Sequence, residues 1–160
     1  MKSTRLKNFF LVLVLILGLI HIGIAVPNSL ALAMVKSKTV DYTGNIDIRS
    51  GDFIFQHLPG PLTEMIISVD GGRYSHCGLI MEERGRFYVL EAIGPVKKTP
   101  INEWIARGIR DEFTVVRLRE EYQDMIPAMI QAAQAYQGRP YDLQYEWDDQ
   151  KIYCSELLYK

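Results

Sequence analysis

The sequence predicts an α+β domain, a small antiparallel sheet with helices packed against it. Three observations carry this expectation. Ser75 to Glu82 and Arg86 to Ala92 are strand-like and flank Glu83-Arg84-Gly85, which reads as a β-hairpin. Phe113-Thr114-Val115-Val116-Arg117-Leu118 is β-branched and aromatic, the composition of a strand. Elsewhere apolar residues recur at helical spacing, as in Leu62, Met65, Ile66 and Val69, and again in Met125, Ile126, Met129, Ile130 and Ala133.

The chain has 160 residues, and its first part is set aside before the fold is considered. Lys2, Arg5 and Lys7 form a basic start, Phe9 to Val26 is an almost unbroken apolar run, and Ala31-Leu32-Ala33 is an A-x-A cleavage site. This is the pattern of a secretory signal peptide cut after about Ala33. Uncleaved, residues 9–26 would instead form an N-terminal anchor near the minimum length of a membrane span. The remaining 34–160 is the size of one domain. Taking Lys2, Arg5 and Lys7 from 18 Lys and Arg leaves 15 against 19 Asp and Glu, a net charge of −4 that argues against nucleic-acid binding. The expected location is periplasmic or extracellular.

Along that domain, Met34 to Asn45 is expected to be a loosely ordered lead-in. Arg49-Ser50-Gly51-Asp52 is turn chemistry that launches a short buried strand, Phe53 to Gln56. Leu58-Pro59-Gly60-Pro61 breaks it, Leu62 to Val69 is a short helix, and Asp70-Gly71-Gly72 ends that helix. After the hairpin, Gly94-Pro95 stops the second strand and Val96 to Lys98 forms another short one. Thr99-Pro100 reads as a helix cap followed by proline at the first helical position, with Trp104 and Ile105 on the helix and Gly108 closing it. Glu121 to Gln137 is expected to be the longest helix, kinked at Pro127 or starting there. Arg139 to Asp142 is a loop in which Tyr141-Asp142 either lines a pocket or shapes the turn. The chain then reaches Tyr153-Cys154-Ser155-Glu156-Leu157-Leu158-Tyr159.

Cys154 stands at the start of that last helix, with Leu157 and Leu158 on its face. Free N–H groups and the helix dipole there favour a thiolate, the nucleophilic form. A nucleophile needs a base and a group that orients the base. His76 and Glu91 fall on the two hairpin strands, 15 positions apart, and an even-length connection allows a register in which they oppose each other directly. A carboxylate there would hold the imidazole's tautomer and stabilise its cation. The backbone N–H of Cys154 is a natural oxyanion donor. Tyr153, Ser155 and Asp52 are candidate substrate contacts, with plainer roles as core residue, helix cap and turn residue respectively.

A different class of reading competes. In an exported chain an even cysteine count suggests a disulfide, which would make this a non-catalytic envelope domain bridged through Cys77 and Cys154. Strand alternation argues against it: if His76 faces Cys154, Cys77 points to the other side of the sheet. A metal site from His57, His76, Cys77 and Cys154 is weaker still, because adjacent His76-Cys77 is not zinc-ligand spacing. No metal or cofactor is expected.

The ordered segments Ser50-Gly51-Asp52-Phe53-Ile54-Phe55, Ser75-His76-Cys77-Gly78-Leu79-Ile80, Leu90-Glu91-Ala92, Gly138-Arg139-Pro140-Tyr141-Asp142 and Tyr153 to Tyr159 resemble a known family. The chain is similar to permuted papain-like amidases of the YaeF/YiiX type, circularly permuted relatives of NlpC-type cell-wall peptidases. The resemblance spans about Asn45 to Tyr159. It implies a papain-like fold in which a cysteine helix packs on a small antiparallel sheet or barrel that carries the histidine. It further implies Cys154 as nucleophile, His76 as base and Glu91 as third member. The implied reaction is hydrolysis or transfer at amide or ester bonds, on peptides, peptidoglycan fragments or lipid-linked amino acids. Cys77 stands where such a family would carry a small apolar residue such as valine. The cysteine helix of such folds is longer than the six residues that follow Cys154, so the domain is expected to be truncated at its C-terminus.

Overall fold

In the computed structural model, residues 34–39 and 47–160 are described, and the expected signal segment lies outside them. Six strands form one antiparallel sheet: β1 (Met34–Thr39), β2 (Phe53–Gln56), β3 (His76–Glu83), β4 (Arg86–Ala92), β5 (Val96–Pro100) and β6 (Phe113–Leu118). Their spatial order is β1-β6-β2-β3-β4-β5. The helices are α1 (Pro61–Asp70), α2 (Ile101–Ile105), α3 (Ile126–Gln134) and α4 (Cys154–Tyr159).

Alternation along the central strands sorts side chains onto two faces. Phe53, Phe55, Cys77, Leu79, Met81, Leu90 and Ala92 share one face with Ala133 of α3 and with Cys154 and Leu157 of α4. Ile54, Ile80, Val89, Phe113 and Val115 share the other with Trp104 and Ile105 of α2. The sheet is therefore covered on both sides, as an α+β fold requires.

Several expectations change. Met34–Thr39 is not a loose lead-in: its backbone forms an edge strand paired with β6, with a bulge between Met34 and Lys36. Thr99 and Pro100 end β5 rather than cap α2, and Pro100 precedes the first helical residue without a side-chain cap. The expected long helix is a 3-10 segment, Glu120–Met125, followed by α3, and Pro127 lies in the first turn of α3, where its missing N–H costs nothing. Met125, whose helical spacing groups it with Met129, Ile130 and Ala133, is exposed.

The turn before β2 is tightly determined. Gly51 has φ of 92°, and a Cβ there would come within 2.8 Å of three Ile126 side-chain atoms. The hairpin between β3 and β4 turns on two residues, Arg84 and Gly85, both with positive φ, after the pair Glu83↔Arg86.

Candidate active site

The hairpin register pairs Leu79 with Leu90. Continued by one step, it sets Gly78, not His76, opposite Glu91. His76 and Glu91 are thus diagonal neighbours on one face, two positions from the direct opposition expected. Gly78 makes the diagonal work. A Cβ there would overlap Val89 Cγ1 and lie 3.5 Å from Glu91 Cβ, so its absence leaves the Glu91 side chain room to reach along the strand.

It reaches His76: Nε2 of the imidazole donates to Glu91 Oε2 at 2.6 Å, with both side chains buried. The other carboxylate oxygen accepts from Thr99 Oγ1 and from Arg107 Nη2, each at 2.5 Å. A buried carboxylate needs such company. Burial alone would push the Glu91 pKa up, but the hydrogen bond and charge of His76, with help from Thr99 and Arg107, hold it below the usual value. The His76 ring stacks on Trp104 at 5.9 Å between centroids and 27° between planes, which limits its rotation.

Nε2 is committed to Glu91, which leaves Nδ1 as the ring nitrogen available to Cys154. The imidazole and the Cys154 thiol line the same cleft, close enough for each to shift the other's protonation. Burial works against the imidazolium, but the hydrogen bonds and charges of Cys154 and Glu91 outweigh it and raise the His76 pKa from 6.5 to about 9. The Cys154 thiol is pushed well down, first by a hydrogen bond from Cys77, then by the hydrogen bond and charge of His76 and by the Ser155 N–H, all against the cost of burial. Both shifts act in favour of a thiolate beside an imidazolium.

Cys154 opens α4, whose preceding residue Tyr153 is extended at φ −100° and ψ 167°. The expected cap, Ser155, does not cap. Instead the Tyr153 N–H donates to Glu156 Oε2 at 3.4 Å, one half of a capping box. Ser155 Oγ is buried with no hydrogen-bond partner among the described residues. It lines a tight cleft of about 10 Å³, room for about one water, together with Phe55, Tyr74, Ser75, His76, Cys77 and Cys154.

Cys77 also departs from expectation. Its side chain lies on the α4 face, as alternation requires, but the first residue of α4 sits over the start of β3. Both of the first two residues of that strand, His76 and Cys77, therefore reach Cys154. The two cysteines are adjacent, and both are free.

The remaining candidates are placed elsewhere. Asp52 does not line the cleft: its oxygens accept from Arg117 Nε and Nη2 at 2.7 and 2.8 Å and from the Arg49 N–H at 2.8 Å. Tyr153 is buried against Ile66 of α1 and the Tyr145 ring, behind the nucleophile. Tyr141, in contrast, lies near enough to Cys154 to feel its charge; burial first, then the Cys154 charge, pushes its pKa up, so its hydroxyl stays neutral. His57, expected only in a weak metal alternative, lies 3.5 Å from Glu64. Sequence reasoning missed Thr99, Arg107, Trp104 and the closeness of Cys77. Thr99 carried a cap signal that pointed to the wrong element, and Arg107 carried no signal at all.

A histidine strand thus comes first in the chain and a cysteine helix last. Residues 47–160 match the model of the family described as permuted papain-like amidase enzyme, YaeF/YiiX, C92 family. The chain belongs to this family. It is 35% identical over 113 residues to the uncharacterized protein YiiX of Escherichia coli strain K12, an alignment covering 70% of this chain and 56% of that protein. The chain thus spans a little over half the length of that curated relative. A solved structure, described as that of the metalloprotein yiiX from Escherichia coli O157:H7, superposes with a TM-score of 0.61 at 36% identity, covering 69% of this chain and 62% of that one. The sheet, the helices on its faces and the His-before-Cys order accord with a permuted papain-like fold.

Proposed function

We propose that the protein is an exported cysteine hydrolase that opens amide or ester bonds through a thioester on Cys154. The observation that carries this reading is the buried chain Cys154–His76–Glu91, with a 2.6 Å hydrogen bond orienting the imidazole. Cys154 Sγ attacks the substrate carbonyl carbon, and the oxygen takes the negative charge beside the Cys154 backbone N–H. As the tetrahedral adduct collapses, the His76 imidazolium gives its Nδ1 proton to the leaving amine or alcohol. The neutral imidazole then takes a proton from water, hydroxide attacks the thioester, and acid and thiolate leave. Glu91 keeps its charge throughout and steadies the imidazolium.

Cell-wall peptides and lipid-linked amino acids are the substrate classes consistent with the family and with an exported chain. The solved relative is called a metalloprotein. Among the described residues of this chain no three His, Cys, Asp or Glu side chains are grouped to hold an ion, and no step is routed through one. Export rests on the sequence pattern of residues 1–33, and amino-terminal sequencing of protein from the envelope fraction checks cleavage near Ala33.

The test is covalent capture. The protein is mixed with a p-nitrophenyl acyl ester and with muropeptides, quenched in acid and weighed. A burst of p-nitrophenol with an acyl adduct mapped to Cys154 is expected, and both disappear in Cys154→Ala. Unchanged turnover by Cys154→Ala overturns the proposal. Adding an amine acceptor separates hydrolysis from acyl transfer by product.

A further inference from the structure

The proposed reaction makes and breaks bonds at Cys154 and moves protons through His76, with Glu91 beside it, and it leaves one nucleophilic group at the site without a step of its own. Cys77 is buried, it packs in the same apolar core as Cys154, and the two line the same cleft. Cys77 helps to lower the Cys154 pKa, but it takes up and gives up no proton in the proposed reaction. We propose that Cys77 is a resolving thiol: a hydroperoxide oxidises Cys154, and the two sulfurs then close into a reducible disulfide that withdraws the nucleophile. The proposal concerns the regulation of the site proposed above, and the crosslink itself can be tested without activity.

The chemistry balances. The Cys154 thiolate attacks the distal peroxide oxygen, the O–O bond breaks, and the alkoxide or hydroxide leaves with the proton of the His76 imidazolium. The products are a Cys154 sulfenic acid and an alcohol or water. Sulfur is oxidised by two electrons and the peroxide is reduced by two. The Cys77 proton, previously held by the neighbouring thiolate charge, then passes to the now neutral His76. The Cys77 thiolate attacks the Cys154 sulfur, and hydroxide departs with that same proton as water. A dithiol reductant reverses the step by exchange, recovering both thiols.

The shared cleft favours closure over further oxidation. Both thiols line it, from the second residue of β3 and the first of α4, and the disulfide needs a sulfur–sulfur bond of about 2.05 Å.

The reduced full chain is treated with hydrogen peroxide, denatured in N-ethylmaleimide and analysed by intact mass and non-reducing peptide mapping. The expected product is about 2 Da lighter, has lost both thiols together and holds an intramolecular Cys77–Cys154 peptide pair. Dithiothreitol restores both thiols. In Cys77→Val the same treatment leaves a sulfinic acid, about 32 Da heavier, that dithiothreitol does not reverse. Wild-type Cys154 accumulating that adduct while Cys77 remains alkylatable would overturn the proposal, as would a crosslink found only between molecules; both use wild-type protein, so they hold even if Cys77→Val fails to fold. Ester turnover by the reduced protein reads the hydrolase proposal separately. A crosslinking but inert protein sinks that reading alone, and an active protein that never crosslinks sinks this one alone.

Discussion

Replacing Glu91 by Gln removes one charge and little volume from the centre of the site. In the folded protein the His76 pKa is about 9 against 6.5 for a free imidazole. That difference corresponds to about 3 kcal/mol in favour of the imidazolium, at 1.36 kcal/mol per unit. It is what remains after burial has acted the other way, and Cys154 and Glu91 together supply it. Loss of the Glu91 charge should lower the His76 pKa by at least about one unit, roughly 1.4 kcal/mol. The alkaline limb of kcat/KM, set by loss of the proton needed by the leaving group, should move down from about 9 by the same amount. A neutral amide also lets the ring settle in the wrong tautomer, so kcat should fall by at least about 10²-fold. Stability should fall as well, by about 2–3 kcal/mol. This is less than a fully buried pair would lose, because the Arg107 side chain is 31% exposed and regains some water. The pH dependence has a definite sign. A histidine whose pKa is raised on folding adds stability that is fully present below pH 6.5 and is lost as pH climbs through about 9. The wild-type advantage over Glu91→Gln should therefore be larger at pH 6 than at pH 10, as measured by urea unfolding at both. An alkaline limb that stays in place, with kcat within about threefold of wild type, would refute the orienting role.

Three further outcomes follow from the same geometry. Gly78→Ala should cost about 1–3 kcal/mol, the usual range for overpacking, because its methyl would meet Val89 and the Leu90 carbonyl. It should also loosen the His76–Glu91 bond, so a lower melting temperature and a shifted pH profile are expected together. Glu156 is buried and its pKa is raised to about 7, so the unfolded chain loses this proton before the folded one does. Stability should thus decline as pH rises from about 4.5 to about 7 by up to about 3 kcal/mol, and Glu156→Gln should flatten that decline in unfolding curves at pH 5 and 8. Asp52→Asn should weaken the ion pair with Arg117 and lower stability by about 1–3 kcal/mol while leaving the pH profile of Cys154 alkylation in place. A changed profile would restore Asp52 as a substrate contact.

Much of this was legible from periodicity. Phe53 to Gln56 and Phe113 to Leu118 have the bounds expected, because each is a short buried run with sharp turn chemistry at its edge. The shared face of His76 and Glu91 followed from hairpin parity, and parity survived an error of two in register. That error came from centring the turn one residue early, since Arg84, a non-glycine with positive φ, gives little hint that it turns. What stayed hidden depends on contacts between distant segments. Thr99 and Arg107 meet Glu91 only after β5 and α2 have docked. Alternation correctly turned Cys77 from His76 but could not say that a helix end would sit over the strand's first residues. Ser155 looked like a cap because serine often is one, whereas the chain uses Glu156.

That position of Cys154, reached from both sides at the end of the sheet, divides labour between two cores. Glu91, Thr99, Arg107 and Trp104 tune the imidazole from one side. The cleft wall, with Phe55, Tyr74 and Ser155, belongs largely to the other. The sheet insulates the two sets. Substitutions on the cleft wall should therefore leave the His76–Glu91 bond and its partners Thr99 and Arg107 in place.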